Sequence, residues 1–492
     1  MMNLRKRFWL MAGVAITIGL ALRLWFIHHY ALITGDSLLY GDIAKNWLQH
    51  GVYGFSDINA AGIATVRPTL IRLPGYPLFL AACFRLFGLE HYTAVLYVQA
   101  AIDLATCCLL AALAGRLFGH RAAMAVLWLA ALCPFTAGYT AAPLTETLTL
   151  SAMALAFYAF VRWWQSGCGI NRWIWLLGLV LGWSVLLRPE QGLLWIALLP
   201  AAWLAAGKIR GQPLSTPSAA SPVLITALCA VLPLVPWTAR NWHTFHILQP
   251  LAPRNAVDPG ELDPVGFNRW FRTWGIEFQS TEQIYWNYSG FPIQLNDLPL
   301  RAFDAGSPGA TAALHAQTAA LLADYNKTTL VTPQIDARFA ALARIRISAH
   351  PVLYYIGLPL ARLLDMALRP RTELLPTPLD WWRWRIYHGQ TVFAATYAAL
   401  NLIYLALGVG GFLVWQRRRW RAADSAAHNM RPFALALAAT VLLRALLLLA
   451  LDNSEPRYTL EFFPVALIFA GALFASPRTT SVRSGTSGTP AR

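Results

Sequence analysis

The feature that most limits how this chain can fold is a series of apolar blocks, each long enough to cross a bilayer, spread over most of the sequence. Leu10 to Ile27 is the first, broken only by Arg23 near its far end. A helix of about 20 apolar residues spans a hydrocarbon core of about 30 Å, and a soluble core has no use for so many. Composition agrees. Of 492 residues, 57% are hydrophobic and 13% charged, roughly half the charged fraction of a soluble protein. The expected fold class is therefore an all-α polytopic membrane protein. Arg5, Lys6 and Arg7 precede a first block longer than a signal-peptide core, and His28, His29 and Tyr30 stand where cleavage would fall. That pattern predicts an uncleaved anchor with a cytoplasmic N-terminus.

The spans fall near 8–28, 92–115, 122–139, 143–162, 173–187, 191–206, 222–239, 390–414, 431–450 and 458–475. Two further apolar stretches, Leu73–Phe87 and Pro351–Leu368, are short and rich in Pro or Arg. If neither of these crosses, the basic linkers at Arg5–Arg7, Arg116/Arg121, Arg162/Arg172, Lys208/Arg210, Arg417–Arg421 and Arg478/Arg483 all face the cytoplasm, as the positive-inside rule requires. The expectation is thus about ten spans plus two interfacial segments. This placement absorbs most of the net charge of +16 and leaves no nucleic-acid partner. Five of the six cysteines lie in apolar segments and Cys168 in a short linker, with no Cys/His metal spacing.

Four parts follow from this topology. Residues 1–240 form an N-terminal transmembrane module, the part expected to carry any catalysis, whose first outer loop is 29–91. Residues 241–389 form an extracytoplasmic α-rich domain, with a helical stretch at Thr311–Tyr325 and an interfacial segment at 350–368. Residues 390–475 are the C-terminal spans, and 476–492 a disordered cytoplasmic tail. Both termini are then cytoplasmic, and the outer turns at Pro143–Glu146, Arg188–Glu190 and Asp452–Tyr458 share one compartment with the first loop.

That loop opens on Gly35-Asp36-Ser37, followed by Tyr40, Ile43, Ala44, Trp47 and Leu48 at helical spacing. Asp36 at the start of an amphipathic helix is either a plain N-cap or an ionised carboxylate suited to general-base work. Arg67, Arg72 and a rigid Pro/Gly turn stand just before an apolar half-segment; the arginines either anchor to lipid phosphate or bind a lipid-linked substrate phosphate. Asp103 and Arg444 lie near mid-span, where charge is costly. They either pair with each other, or Asp103 lines a polar cavity. Glu190 and Glu455 flank Arg188 and Arg457, as intraloop salt bridges or substrate contacts. Trp270, Trp274, Tyr285 and Trp286 suit an interfacial aromatic belt or sugar stacking.

The order Gly-Asp36-x-x-x-Tyr40-x-x-x-Ala44-x-x-Trp-Leu48, Gly51-Val-Tyr53-Gly-Phe-Ser, Arg72-Leu-Pro74-Gly-Tyr-Pro-Leu-Phe and Phe-Arg-Leu-Phe-Gly88 resembles the GT-C glycosyltransferases. Within them it resembles the protein-mannosyltransferase and aminoarabinose-transferase group that uses polyprenyl-phosphate sugars. Arg116-Leu-Phe-Gly, Pro143-Leu-Thr-Glu146, Leu187-Arg188-Pro189-Glu190, Arg240-Asn241-Trp242 and Glu455-Pro-Arg457-Tyr458 fit the same pattern. The resemblance is weak between about 255 and 340. It implies a GT-C-like bundle in which Asp36 is the catalytic base and Glu146 the second catalytic acidic position. Tyr40, Arg67, Arg72, Tyr76, Arg188, Glu190, Arg240, Glu455 and Arg457 would bind substrate, with Arg67, Arg72, Arg188 and Arg457 the candidates to hold the lipid phosphate. No metal is required, although Asp36 and Glu146 could share a divalent ion. The implied partners are membrane lipid, a polyprenyl-phosphate sugar donor and an extracytoplasmic acceptor, whether glycolipid, polysaccharide or protein. The implied activity is inverting transfer of a hexose or pentose in a bacterial inner membrane. The alternative is a transporter or flippase of a lipid-linked saccharide. Such proteins place broken helices and polar residues at mid-membrane, often in repeated halves, whereas here the polar signals gather at one face and no repeat occurs.

Overall fold

The computed structural model describes residues 4–58, 62–210, 217–421 and 431–475. The expected tail 476–492 lies outside them. Helices dominate: α1 (Leu4–Tyr30), α2 (Asp36–His50), α3 (Gly75–Phe87), α4 (Tyr92–Phe118), α5 (His120–Ala131), α6 (Pro134–Gly138), α7 (Glu146–Gln165), α8 (Arg172–Leu187), α9 (Gly192–Arg210), α10 (Pro217–Val231) and α11 (Leu234–Phe245) form the N-terminal part. A unit over residues 265–368 holds α12 (Val265–Arg272), α13 (Pro308–Tyr325), α14 (Pro333–Ala349) and α15 (Leu358–Leu368), and α16 (His388–Arg421), α17 (Arg431–Leu449) and α18 (Phe462–Gly471) follow.

Six helices among the described residues are long and apolar enough to cross a membrane: Arg5–Tyr30, Tyr92–Phe118, Ala220–Phe245, His388–Arg417, Arg431–Leu449 and Pro456–Phe474. Each coincides with an expected span. The span expected at 122–139 is instead a pair, His120–Ala131 and Pro134–Ala141, bent by 45°, because Pro134 cannot continue the helical hydrogen bonding. The remaining three expected spans are the helices α7, α8 and α9, packed inside the same bundle; α8 is short because Pro189 follows it. The stretch Leu353–Leu368 makes a 104° bend with α14, as suits a segment lying along an interface. Outward-facing side chains such as Trp9, Leu224, Leu228, Val409 and Leu442 are exposed, the reverse of a soluble surface and what a hydrocarbon solvent selects.

Two readings of mid-span charge are corrected. Asp103 pairs with Arg23, whose Nε donates to Oδ2 at 2.8 Å while Nη1 donates to the carbonyls of Gly19 (2.7 Å) and Ala131 (2.8 Å). Both side chains are buried, so this cluster ties α1, α4 and α5 together and lines no polar cavity. Arg444 pairs elsewhere, with Glu461 and Glu190.

The all-α expectation holds, with one small exception in the first loop, an antiparallel hairpin of β1 (Gly54–Ile58) against β2 (Ala64–Pro68), with Phe55 opposite Arg67. The 265–368 unit has its own core of Phe267, Trp270, Phe271, Trp274, Tyr288, Leu321, Tyr325 and Phe339. Trp270 and Trp274 are fully buried there. They serve neither a membrane belt nor sugar stacking, because a small unit without disulfides needs large apolar side chains to bury enough area. Tyr285 packs against this core, and Trp286 is exposed.

Candidate active site

At one end of the bundle, four arginines and five carboxylates join into one network. Asp36 enters it from α2. Gly35 turns the chain at φ 54°, and Asp36 is the first helical residue, not the cap. Its carboxylate makes no capping bond. Instead Oδ1 accepts from Arg72 Nη2 at 2.7 Å and Oδ2 from Arg457 Nη2 at 2.9 Å. Burial works against the anion, but Arg457 and Arg72 outweigh it and hold the carboxyl at about 2.

Arg72 reaches Asp36 from the turn before α3. Tyr53 donates its hydroxyl to the Arg72 carbonyl at 2.9 Å, and Gly75 packs flat on the end of α8. A Cβ there would lie 2.5 Å from the Leu186 carbonyl and 2.7 Å from Leu187 N, so the Pro74-Gly75 turn brings Arg72 beside the Arg188 turn. Arg188 donates from Nη1 to Glu146 Oε1 at 3.0 Å and from Nε to Glu190 Oε1 at 2.8 Å.

The third contribution is the turn between α17 and α18. Arg457 bridges Asp36, Glu455 and, at 3.8 Å, Glu146. Arg371 fixes this turn by donating from Nη1 to the Pro456 carbonyl at 3.0 Å and from Nη2 to Thr459 Oγ1. Arg444 closes the network, 3.0 Å from Glu461 and 3.4 Å from Glu190. The acids outnumber the arginines by one, and Glu455 is among those that respond. Burial pushes its carboxyl up to about 7, against the pull of Arg457 and with Asp36 and Glu146 adding to the rise. Its Oε2 is buried without a partner, as is Oε2 of Glu146.

The structure therefore gathers Asp36, Glu146, Arg72, Arg188, Glu190, Glu455 and Arg457. Tyr40 sits beside them, its ring 5.8 Å from the Arg72 guanidinium carbon and 5.1 Å from the Tyr76 ring. Tyr76 is fully buried and donates to Gln99 Oε1 at 2.7 Å. Arg67 and Arg240 are not in the network. Arg67 lies on β2 against Asp258 (3.3 Å) and Glu261 (2.7 Å), and Arg240 donates to the carbonyls of Thr69 and Tyr53, both at 2.7 Å. Both side chains fasten the hairpin to neighbouring elements. The intraloop pairs Arg188–Glu190 and Arg457–Glu455 form, inside the network. Glu461 and Arg444 were missed as site members. Glu461 stands four residues after Arg457, one helical turn on, and that spacing was the available signal. Among the described residues no group of three or more His, Cys, Asp or Glu side chains could hold a metal ion. An ion shared by Asp36 and Glu146 would have to displace both arginines from Asp36.

Fold and site together define a helical membrane protein with a buried acid–arginine network at one end of its bundle. Residues 66–237 match the family model described as dolichyl-phosphate-mannose-protein mannosyltransferase, and the expected resemblance to the GT-C glycosyltransferases holds. The matched segment carries Arg72, Glu146 and Arg188, with Asp36, Glu455 and Arg457 outside it. Among solved structures, the apo oligosaccharyltransferase of Archaeoglobus fulgidus aligns with 96% of this chain and 51% of its own, at 11% identity and TM-score 0.49. The oligosaccharyltransferase AglB from Archaeoglobus fulgidus in complex with an inhibitory peptide and a dolichol-phosphate aligns with 96% of this chain and 50% of its own, at 12% identity and TM-score 0.44. ArnT from Cupriavidus metallidurans bound to undecaprenyl phosphate aligns with 94% of this chain and 77% of its own, at 14% identity and TM-score 0.37. This chain spans about half the length of the archaeal enzyme. Among curated proteins no sequence match is found.

Proposed function

We propose that this chain is a membrane glycosyltransferase that moves one monosaccharide from a polyprenyl-phosphate donor to an acceptor hydroxyl, with inversion at the anomeric carbon. The reading places it in a bacterial inner membrane, with cytoplasmic termini and an extracytoplasmic site. One observation carries it: Asp36 is held ionised between two arginines at the head of the bundle.

In the reaction, the acceptor oxygen bonds to the anomeric carbon as the bond from that carbon to the phosphate oxygen breaks. The electron pair leaves with the phosphate, and the acceptor proton passes to Asp36. Arg72 and Arg457 serve both ends of this step. In the resting site they pull Asp36 down to about 2, which makes it a weak base. A donor phosphate that engages the same guanidiniums draws them from Asp36. The charge on the departing phosphate is then stabilised and the carboxylate becomes more basic. Glu146 and Glu190 keep Arg188 aimed at the same space.

The test is Asp36→Asn in lipid-reconstituted protein, with labelled polyprenyl-phosphate sugars and release of label as readout. The variant should lose on the order of 10²–10⁴ in transfer rate while still binding polyprenyl phosphate. Full transfer by a folded Asp36→Asn protein rejects the assignment. Background release from every donor by the wild type points to a flippase instead.

A further inference from the structure

We propose that Arg269, Arg272 and Arg344 form a second anion site, separate from the Asp36 network, that takes the phosphate-bearing headgroup of a membrane lipid. The three side chains line a cleft of about 430 Å³ in the 265–368 unit, together with Tyr354 and Tyr355. Arg269 and Arg272 stand one turn apart on α12, and Arg344 approaches from α14. Most arginines of this unit have acceptors: Arg301 meets Glu277, Arg338 meets Asp324, and Arg346 donates to Thr273 and the Asp304 carbonyl. Among the described residues Arg269 and Arg344 have neither an ion pair nor a hydrogen bond, and both are exposed. Among the described residues Arg272 forms an ion pair with Asp452 alone, at 3.6 Å, and the Arg272 Nε is buried without a hydrogen-bond partner. Three guanidiniums lining one cleft beside a single carboxylate repel one another until an anion with several oxygens enters, and planar guanidinium donors match phosphate geometry.

The surroundings select a lipid as the source of that phosphate. Directly beyond the cleft the chain bends by 104° into an apolar helix. Val352, Leu353, Ile356, Leu360 and Leu364 are exposed along it, Val352 at 71%. In a membrane protein such a face rests among acyl chains, which sets the cleft at its head at the depth of the phosphates. Asp452 borders the cleft and Glu455 the transfer site, so three residues of chain, at most about 11 Å, separate the two.

The full chain in phosphatidylcholine nanodiscs, titrated with fluorescent phosphatidic acid, tests this. Wild type should take up phosphatidic acid in preference to phosphatidylcholine. Arg269→Glu/Arg344→Glu, which breaks no ion pair or hydrogen bond among the described residues, should weaken that uptake at least about tenfold, and Arg269→Lys/Arg344→Lys should keep most of it. Leu360→Ser/Leu364→Ser should weaken it as well. Binding of labelled polyprenyl phosphate should be unchanged in the Glu variant. Undiminished phosphatidic acid uptake in that variant overturns the proposal. So does parallel loss of polyprenyl phosphate, which would merge the two sites, and so does displacement by inorganic phosphate at equal concentration, which would leave the apolar face without a role.

Discussion

Glu455 offers the sharpest check on the electrostatics of the network. Its carboxyl is raised from 4.5 to about 7, first by burial and then by Asp36 and Glu146, with Arg457 opposing. The sign follows from linkage. Between pH 4.5 and about 7 the folded protein holds the Glu455 proton while the unfolded chain has released it. Folding is therefore favoured by protons, and stability falls as pH rises through that window. At about 1.4 kcal/mol per unit, the loss between about pH 5 and pH 8 comes to roughly 2–3 kcal/mol. Glu455→Gln keeps the shape and removes the titration. Thermal unfolding of both proteins in the same detergent, at about pH 5 and pH 8, reads the difference in slope. Asp452, whose carboxyl burial also raises, contributes the same slope to both and cancels. Wild type should lose that much more stability than Glu455→Gln across the range. Identical slopes would mean that Glu455 is ionised throughout, and the charge balance drawn for the network would be wrong.

Other consequences are as direct. Gly75→Ala puts a methyl 2.5 Å from the Leu186 backbone, so α3 must back away from α8; we expect a cost of about 1–3 kcal/mol and a fall in sugar transfer, measured by thermal unfolding and label release. A Gly75→Ala protein as stable and active as wild type would show that the turn tolerates separation. Asp103→Leu strands the buried Arg23 and should cost about 3–5 kcal/mol, whereas Arg23→Met together with Asp103→Leu should recover most of it. Chemical denaturation of the two variants side by side decides this, and equal losses would refute the pairing. Asp36 has the opposite sign to Glu455. Its depressed carboxyl stabilises the fold above its ordinary value of 3.8, and that contribution fades as pH falls toward about 2. Asp36→Asn should therefore flatten the acid limb of the unfolding curve.

How much of this was legible in the amino-acid order depended on range. Span positions were readable because about 20 apolar residues in a row have one economical solution in a bilayer, and six of the expected ten stand as full-length helices. The broken span at Pro134 was missed as a break, since hydropathy averages over a single proline. Asp36, Glu146, Arg188 and Arg457 were readable as candidates, because charged residues at the edges of apolar blocks are few and their motif order is distinctive. Partnership was not. Asp103 was matched with Arg444 by depth alone, yet it meets Arg23, because helix rotation and neighbour choice leave no mark on a hydropathy profile. Arg67 and Arg72 looked equivalent in sequence, five residues apart and both just before the Pro74-Gly75 turn. The hairpin carries Arg67 to Asp258 and Glu261, and Gly75 carries Arg72 to Asp36.

By itself, then, the sequence settled the solvent this protein folds in and the short list of residues able to carry charge chemistry, since both depend on local composition. Only tertiary structure decided which carboxylate meets which arginine, and so which stays ionised and which holds its proton near neutral pH. Those outcomes depend on distances of about 3–4 Å between residues as far apart as Asp36 and Arg457, and only the packing of the bundle fixes such distances.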